Sequence, residues 1–288
     1  MPRALATVAL AIAALFSGPG GAGAQEAEEP VPAPESSKGP TNSPSGVIPL
    51  VGREAAIYYD DAKALFFAPF HWNGTEIRTA VGAGAVVGTV IIFDQRLARV
   101  AQERATEGTN HVANVLTPFG TYGAFAASGA LIVAGVSLRD GRVTSMGREG
   151  IEACFIAGLM TTIAKPVFGR ERTGVSDKRT AFKPFSGNNS FPSGHATVAF
   201  ALASVVSARS DGWVVPTVAY ALASLVAYSR VNDAAHFPSD VVAGGLIGAT
   251  TGRFIVHRHR RAEAGAAPPK AEFSLIPIHN GLAIAARF

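Results

Sequence analysis

The sequence predicts an all-α protein built on six apolar helices, and three observations carry that reading. Beyond residue 77, six apolar stretches at roughly 78–93, 115–138, 150–168, 195–208, 213–229 and 240–256 are separated by short polar ones. None shows the two-residue alternation of a half-buried strand. Ala and Gly dominate their apolar content, which suits closely packed helices. Composition agrees: of 288 residues 48% are hydrophobic and 16% charged, against about a quarter charged in an ordinary soluble domain. Such a chain is either membrane-embedded or an unusually apolar helical globule.

Residues 1–24 read as a secretory signal peptide. Arg3 gives a positive start, Ala4 to Phe16 is apolar but short for a membrane span, and Ala22-Gly23-Ala24 forms a small-residue cleavage site. Residues 25–49 are rich in Pro, Glu, Ser and Gly and read as a disordered linker. Residues 50–77 mix apolar runs with Tyr58, Tyr59, Phe66, Phe67, Phe70 and Trp72, suiting an amphipathic segment on a membrane surface or a lid over the core. Residues 78–256 are the helical core. The stretch VGAGAVVG, with Gly82, Gly84 and Gly88, superficially suggests a dinucleotide loop, but no strand precedes it and the spacing is not GxGxxG, so small-xxx-small helix packing by Gly84 and Gly88 is the expectation. Residues 257–288 hold the basic run His257-Arg-His-Arg-Arg261 and a tail alternating around Asn280-Gly281, a signal for a short β-hairpin.

Whether the six helices span a bilayer is open at this level. A span needs about 20 apolar residues. The second stretch meets that length, whereas the fourth is interrupted by Arg209 and Asp211. With a cleaved signal, crossing at the first three stretches would place the loop after the third in the cytoplasm and the basic run outside, against the positive-inside tendency. A segment that does not cross, a retained signal, or a periplasmic globule would each resolve this.

The formal charge of +4 comes from basic residues scattered among apolar segments, so nucleic-acid binding has little support. Cys154 is the chain's one cysteine, which excludes an intramolecular disulfide and a Cys-based zinc site. It is expected in the core.

The chemistry-bearing residues fall in three clusters at segment ends: Lys165 to Arg172; Phe191-Pro192-Ser193-Gly194-His195; and Ser229-Arg230 through His236 to Asp240. Lys165, Arg172 and Arg230 are cations on apolar helices, where unpaired charge is costly, so they call for an anion. Ser193 and Gly194 open a helix whose backbone N–H groups and dipole suit a phosphate. Arg offers a planar fork to phosphoryl oxygens and Lys a point charge. Asp240, four residues from His236, can hold one ring nitrogen and leave the other as a nucleophile, although Pro238 intervenes. His195, beside the anion site, can protonate a leaving alkoxide.

This set resembles the type-2 phosphatidic acid phosphatase superfamily, which also contains bacterial class A acid phosphatases and vanadium haloperoxidases. Its signature KxxxxxxRP is matched by Lys165 and Arg172, PSGH by Pro192 to His195, and SRxxxxxHxxxD by Ser229, Arg230, His236 and Asp240. Thr173 departs from it, standing where the family has Pro. The resemblance covers about 78–256 and implies a six-helix core bundle of that superfamily's kind. It further implies a phosphatase needing no metal or other cofactor. Expected substrates are phosphomonoesters or diphosphates, lipid phosphates foremost. In that mechanism His236 forms a phosphohistidine, Asp240 orients it, and His195 acts as acid and then as base. Lys165, Arg172, Arg230, Ser193 and Gly194 would hold the phosphoryl oxygens. A non-specific periplasmic acid phosphatase on soluble esters, or a vanadium-dependent haloperoxidase, are the alternatives. Export implies the bacterial cell envelope, with a membrane-associated chain and the site on the periplasmic side.

Overall fold

The computed structural model describes residues 47–173, 181–265, 272–278 and 281–287, with side chains over 54–173 and 181–265. The expected signal peptide and all but the end of the expected linker lie outside the described residues. The chain falls into two units, Met1–Glu54 and Ala55–Phe288, and the second carries all three motifs.

The described residues form an all-α bundle of eight α-helices: α1 (Val47–Phe67), α2 (Gly74–Glu103), α3 (Glu107–Leu116), α4 (Tyr122–Leu138), α5 (Gly141–Phe168), α6 (Gly194–Arg209), α7 (Val214–Asn232) and α8 (Pro238–Glu263). Two strands, β1 (Glu272–Ile278) and β2 (Gly281–Arg287), pair antiparallel with Ile278 opposite Gly281.

Capping chemistry explains where the helices exceed the apolar stretches. α2 starts at Gly74, inside the stretch read as a pre-domain segment, because Asn73 and Glu76 form a capping box. Asn73 Oδ1 accepts from the backbone N–H groups of Thr75 and Glu76, and Glu76 Oε2 accepts from Asn73 N–H at 2.7 Å. α5 likewise starts at Gly141 on an Asp140 cap. The second apolar stretch is not one helix. Pro118 and Gly120 sit in a 3-10 turn, Thr117–Gly120, and the helices on either side are bent by 64°. α8 runs on to Glu263, so the basic run is its last turns rather than part of a separate tail.

The core lies where α5, α6 and α8 meet, around Ala153, Ile156, Ala157, Ala201, Val205 and Ile255. Cys154 is buried as expected, in a neighbouring cluster with Ala124 and Val198. α6 and α8 approach closely because α8 presents Gly244, Gly248 and Gly252. A Cβ on these would stand 2.4 Å from Ser193 O, 2.1 Å from Thr197 O and 2.5 Å from Ala201 O. The small-residue stripe is therefore on α8. Gly84 and Gly88, expected to serve in this way, meet nothing within 4 Å.

Three helices, α2, α5 and α7, are long and apolar enough to cross a membrane, or four spans if the bent α3–α4 pair counts as one. Val81, Ile92, Val133, Leu138, Val218 and Leu222 are all more than half exposed on such helices, as lipid-facing side chains would be. α6 has 16 residues and is about 24 Å long at 1.5 Å per residue, short of a ~30 Å hydrocarbon layer.

Candidate active site

Four helix ends converge at one pole. α5 and α7 bring their C-termini, α6 and α8 their N-termini, so each motif arrives on a different helix end. Lys165 and Arg230 lie in the last turns of α5 and α7, where cations offset the negative helix ends.

Gly169 caps α5 with φ +54°, donating its N–H to Lys165 O at 2.8 Å. A Cβ there would lie 1.9 Å from Lys183 O, so the reversal requires glycine. It drives Arg170 into the interior and leaves Arg172 exposed at the mouth. Asn189 ties the first motif together: its carbonyl accepts from Lys165 Nζ at 2.5 Å and its side-chain oxygen from Arg172 Nε at 3.2 Å. Arg230 Nη1 donates to Thr117 Oγ1 at 2.8 Å and Asp233 Oδ2 at 2.9 Å.

Pro238 is the first residue of α8, so His236 precedes the helix and Asp240 folds back to it across the first turn. Asp240 Oδ2 accepts from Phe237 N–H at 3.0 Å and from Ser190 Oγ at 2.5 Å, and stands 3.4 Å from His236 Nδ1. Its other oxygen, Oδ1, accepts from Arg170 Nη1 at 2.6 Å. The ring of His236 is buried with Nδ1 facing Asp240, which leaves Nε2 as the nitrogen turned away from the carboxylate. Ser193 caps α6, but its N–H is taken by Asp240 O at 2.9 Å, so Gly194 and His195 supply the first amides of that helix.

The cationic field is strong. Burial, reinforced by the charges of Arg230, His236, Lys165 and Arg172, pushes the His195 pKa down to about 4. Burial also lowers that of His236, with Asp240 opposing the shift and Lys165 and Arg172 adding to it. Burial works against ionisation of Asp240, yet the bond to His236 and the Arg170 charge hold its carboxyl below the usual range. Both imidazoles are thus neutral near pH 7 in the free site. A bound dianion would offset the cations and restore proton affinity to His195.

Every residue singled out from the sequence lies at this pole. Arg170 and Asp94 do too, although sequence reasoning passed them over. Arg170 is fully buried and bonds Asp94 Oδ2 at 2.6 Å as well as Asp240, while Asp94 also accepts from Ser239 N–H and Oγ. The departure at Thr173 has a structural use: its hydroxyl donates to Ala234 O, a bond proline cannot make, linking the first motif to the loop of the third.

Gly120 packs on His195, and a Cβ there would stand 2.7 Å from His195 Cβ and 2.9 Å from its Cα. Gly120→Ala is expected to displace the imidazole and lower kcat about 100-fold. Overpacking should cost only about 1–3 kcal/mol. Steady-state kinetics alongside a melting curve checks both.

The chain is similar to several known proteins. Residues 151–264 match the family model of the PAP2 superfamily, a span that contains all three motifs. A lipid A 1-phosphatase from Rhizobium johnstonii is 28% identical over 204 residues, 63% of this chain and 78% of that protein. Among solved structures, LpxE of Aquifex aeolicus aligns at 19% identity and TM-score 0.44 over 57% of this chain and 95% of its own. A transmembrane PAP2-type phosphatidylglycerolphosphate phosphatase from Bacillus subtilis aligns at 19% and 0.47 over 73% and 95%.

Proposed function

We propose that this chain, whose residues 151–264 match the PAP2 superfamily, is a phosphatase of that superfamily and hydrolyses the phosphate of a membrane lipid through a phosphohistidine on His236. The observation that carries the lipid assignment is an apolar cavity of ≈ 750 Å³ between α4, α6 and α7. Its lining includes Leu116 and Phe119, which flank Thr117, the partner of Arg230. The same turn contains Gly120, packed on His195. The cavity thus adjoins the phosphate pocket, and from there Ala127, Leu131, Ala199 and Val218 continue it along the bundle. Burying an acyl chain there is worth about 0.8 kcal/mol per CH2. The volume lies within the ~300–1,000 Å³ of ordinary ligand sites. The lipid A 1-phosphatase relative makes a glycolipid phosphate the first substrate to try.

In the proposed reaction, Lys165, Arg172, Arg230 and the first amides of α6 hold the phosphoryl oxygens, favouring the charge distribution of the transition state. His236 Nε2 attacks phosphorus while Asp240 takes up the positive charge through Nδ1. The ester P–O bond breaks, and His195 delivers its proton to the leaving oxygen. A water then attacks the phosphohistidine, giving its proton back to His195 and releasing phosphate and free His236.

The chain is proposed to sit in the bacterial envelope with α2, α5 and α7 crossing the membrane, the α3–α4 pair and the shorter α6 returning between them, and the site on the periplasmic side. Filling the cavity separates lipid from soluble substrates. Ala127→Phe should raise KM at least tenfold for a long-chain lipid phosphate, and leave hydrolysis of p-nitrophenyl phosphate within twofold. Equal losses on both would remove the cavity from substrate binding and favour a soluble ester.

A further inference from the structure

A second buried polar cluster lies at the opposite pole, about 30 Å along α8 from Asp240 at 1.5 Å per residue. His259 Nε2 is 3.1 Å from Asp61 Oδ2 and 3.2 Å from Glu152 Oε2, while its Nδ1 is 3.2 Å from Glu149 Oε1. Asp61, Glu149 and Glu152 are all buried. Around them, Arg258 Nε donates to Asp61 Oδ1 at 2.6 Å, and Arg209 bonds both Glu149 and Glu263.

The bonding is incomplete at one point. Glu152 is 1% exposed, and its Oε1 has no hydrogen-bond partner. The other contacts form supports for ligands. Glu149, itself gripped by Arg209, holds the Nδ1 side of the ring and so turns Nε2 toward Asp61 and Glu152. Such carboxylate–histidine pairs orient metal-binding imidazoles. Two carboxylates meet at Nε2, so the group needs positive charge between them, supplied by protons or by a metal ion. A single proton on Nε2 can point at only one of the two oxygens.

We propose that Asp61, Glu152 and His259 hold a divalent transition-metal ion of the Zn2+ type. Their donor atoms lie within 4.8 Å of one another. Bonds of about 2.0–2.2 Å at tetrahedral angles set donors roughly 3.3–3.5 Å apart, so separations of 3.1 and 3.2 Å need only a few tenths of an ångström of adjustment. Charge agrees as well. The network sets four carboxylates, Asp61, Glu149, Glu152 and Glu263, against two guanidiniums, Arg209 and Arg258. With no metal bound, that surplus of two negative charges is balanced by protons on His259 and Glu152, and one divalent ion would take the place of both. The mixed oxygen and imidazole set suits Zn2+ better than Mg2+ or Ca2+. His259 is 27% exposed and gives the ion an entry path. The ion would tie α1 to α5 and α8, far from the reacting groups.

The test uses the full chain in detergent, stripped with chelator, reloaded with Zn2+ and desalted, with metal measured by mass spectrometry. One retained equivalent and a higher melting temperature are expected. Glu152→Gln and His259→Gln should each weaken Zn2+ binding at least tenfold, whereas Lys165→Ala should leave it unchanged. Wild-type protein that retains less than a tenth of an equivalent, with its melting temperature unmoved, would overturn the proposal and leave a proton as the occupant. So would undiminished binding in both variants. Because the wild-type measurement stands alone, the test survives a variant that fails to fold.

Discussion

Replacing His236 with alanine should lower kcat on a lipid phosphate by on the order of 10⁵-fold, while the protein keeps its fold and still binds vanadate or phosphate. The size follows from what is lost. In enzymes whose nucleophile and base act as a unit, removing the nucleophile alone costs nearly as much as removing the whole set. His195 cannot take over. It lies on α6 in the field of Arg230, Lys165 and Arg172, and lacks the buried carboxylate that His236 has in Asp240. Binding should persist because Lys165, Arg172 and Arg230 are held by Asn189, Thr117 and Asp233 rather than by His236. Rapid quenching with radiolabelled substrate supplies the direct readout. Wild-type protein should yield an acid-labile, base-stable phosphoryl enzyme, and His236→Ala none. More than about 1% residual turnover, or a label that survives in the variant, would place the nucleophile elsewhere.

The fold class and the motif residues were legible in the sequence because each rests on local information. An apolar run of more than about a dozen residues without alternation marks a helix from local sequence, and the fixed spacings of the three clusters carried the resemblance. The helix ends were less legible. Asn73 with Glu76, and Asp140, are polar cap signatures lying outside the apolar runs used to find the helices. Pro118 and Gly120 could have announced the break between α3 and α4, but the apolar composition continues across them. Arg170 was harder to see. In Lys165-PVFGRER it looks like one more cation beside Arg172, and its difference arises from the turn at Gly169 and from Asp94, 76 residues upstream. The remote cluster was the least legible, since Asp61 and His259 meet across 198 residues of sequence.

Arg170→Met is the second variant expected to have a large effect, because it strands two buried carboxylates. Arg170 bonds Asp94 and Asp240 at 2.6 Å, and all three side chains are fully buried. Breaking a buried pair by removing one partner costs about 3–5 kcal/mol, since the remaining charge has neither water nor a counter-ion. The melting temperature in detergent should fall accordingly. Activity should fall too, through positioning rather than contact. Asp240 would lose the donor on Oδ1 and with it the constraint that keeps Oδ2 facing His236 Nδ1. Adding Asp94→Leu separates these effects. The double variant removes one stranded carboxylate and replaces a charged pair by apolar groups, so part of the stability should return. The kcat should not return, because Asp240 still lacks its guanidinium, and KM should stay near the wild-type value, because Lys165, Arg172 and Arg230, the cations proposed to hold the phosphate, are untouched. If kcat recovered together with stability, Arg170 would be a packing element alone. If stability recovered and kcat did not, Arg170 would be the residue that fixes the direction in which the Asp240–His236 pair acts.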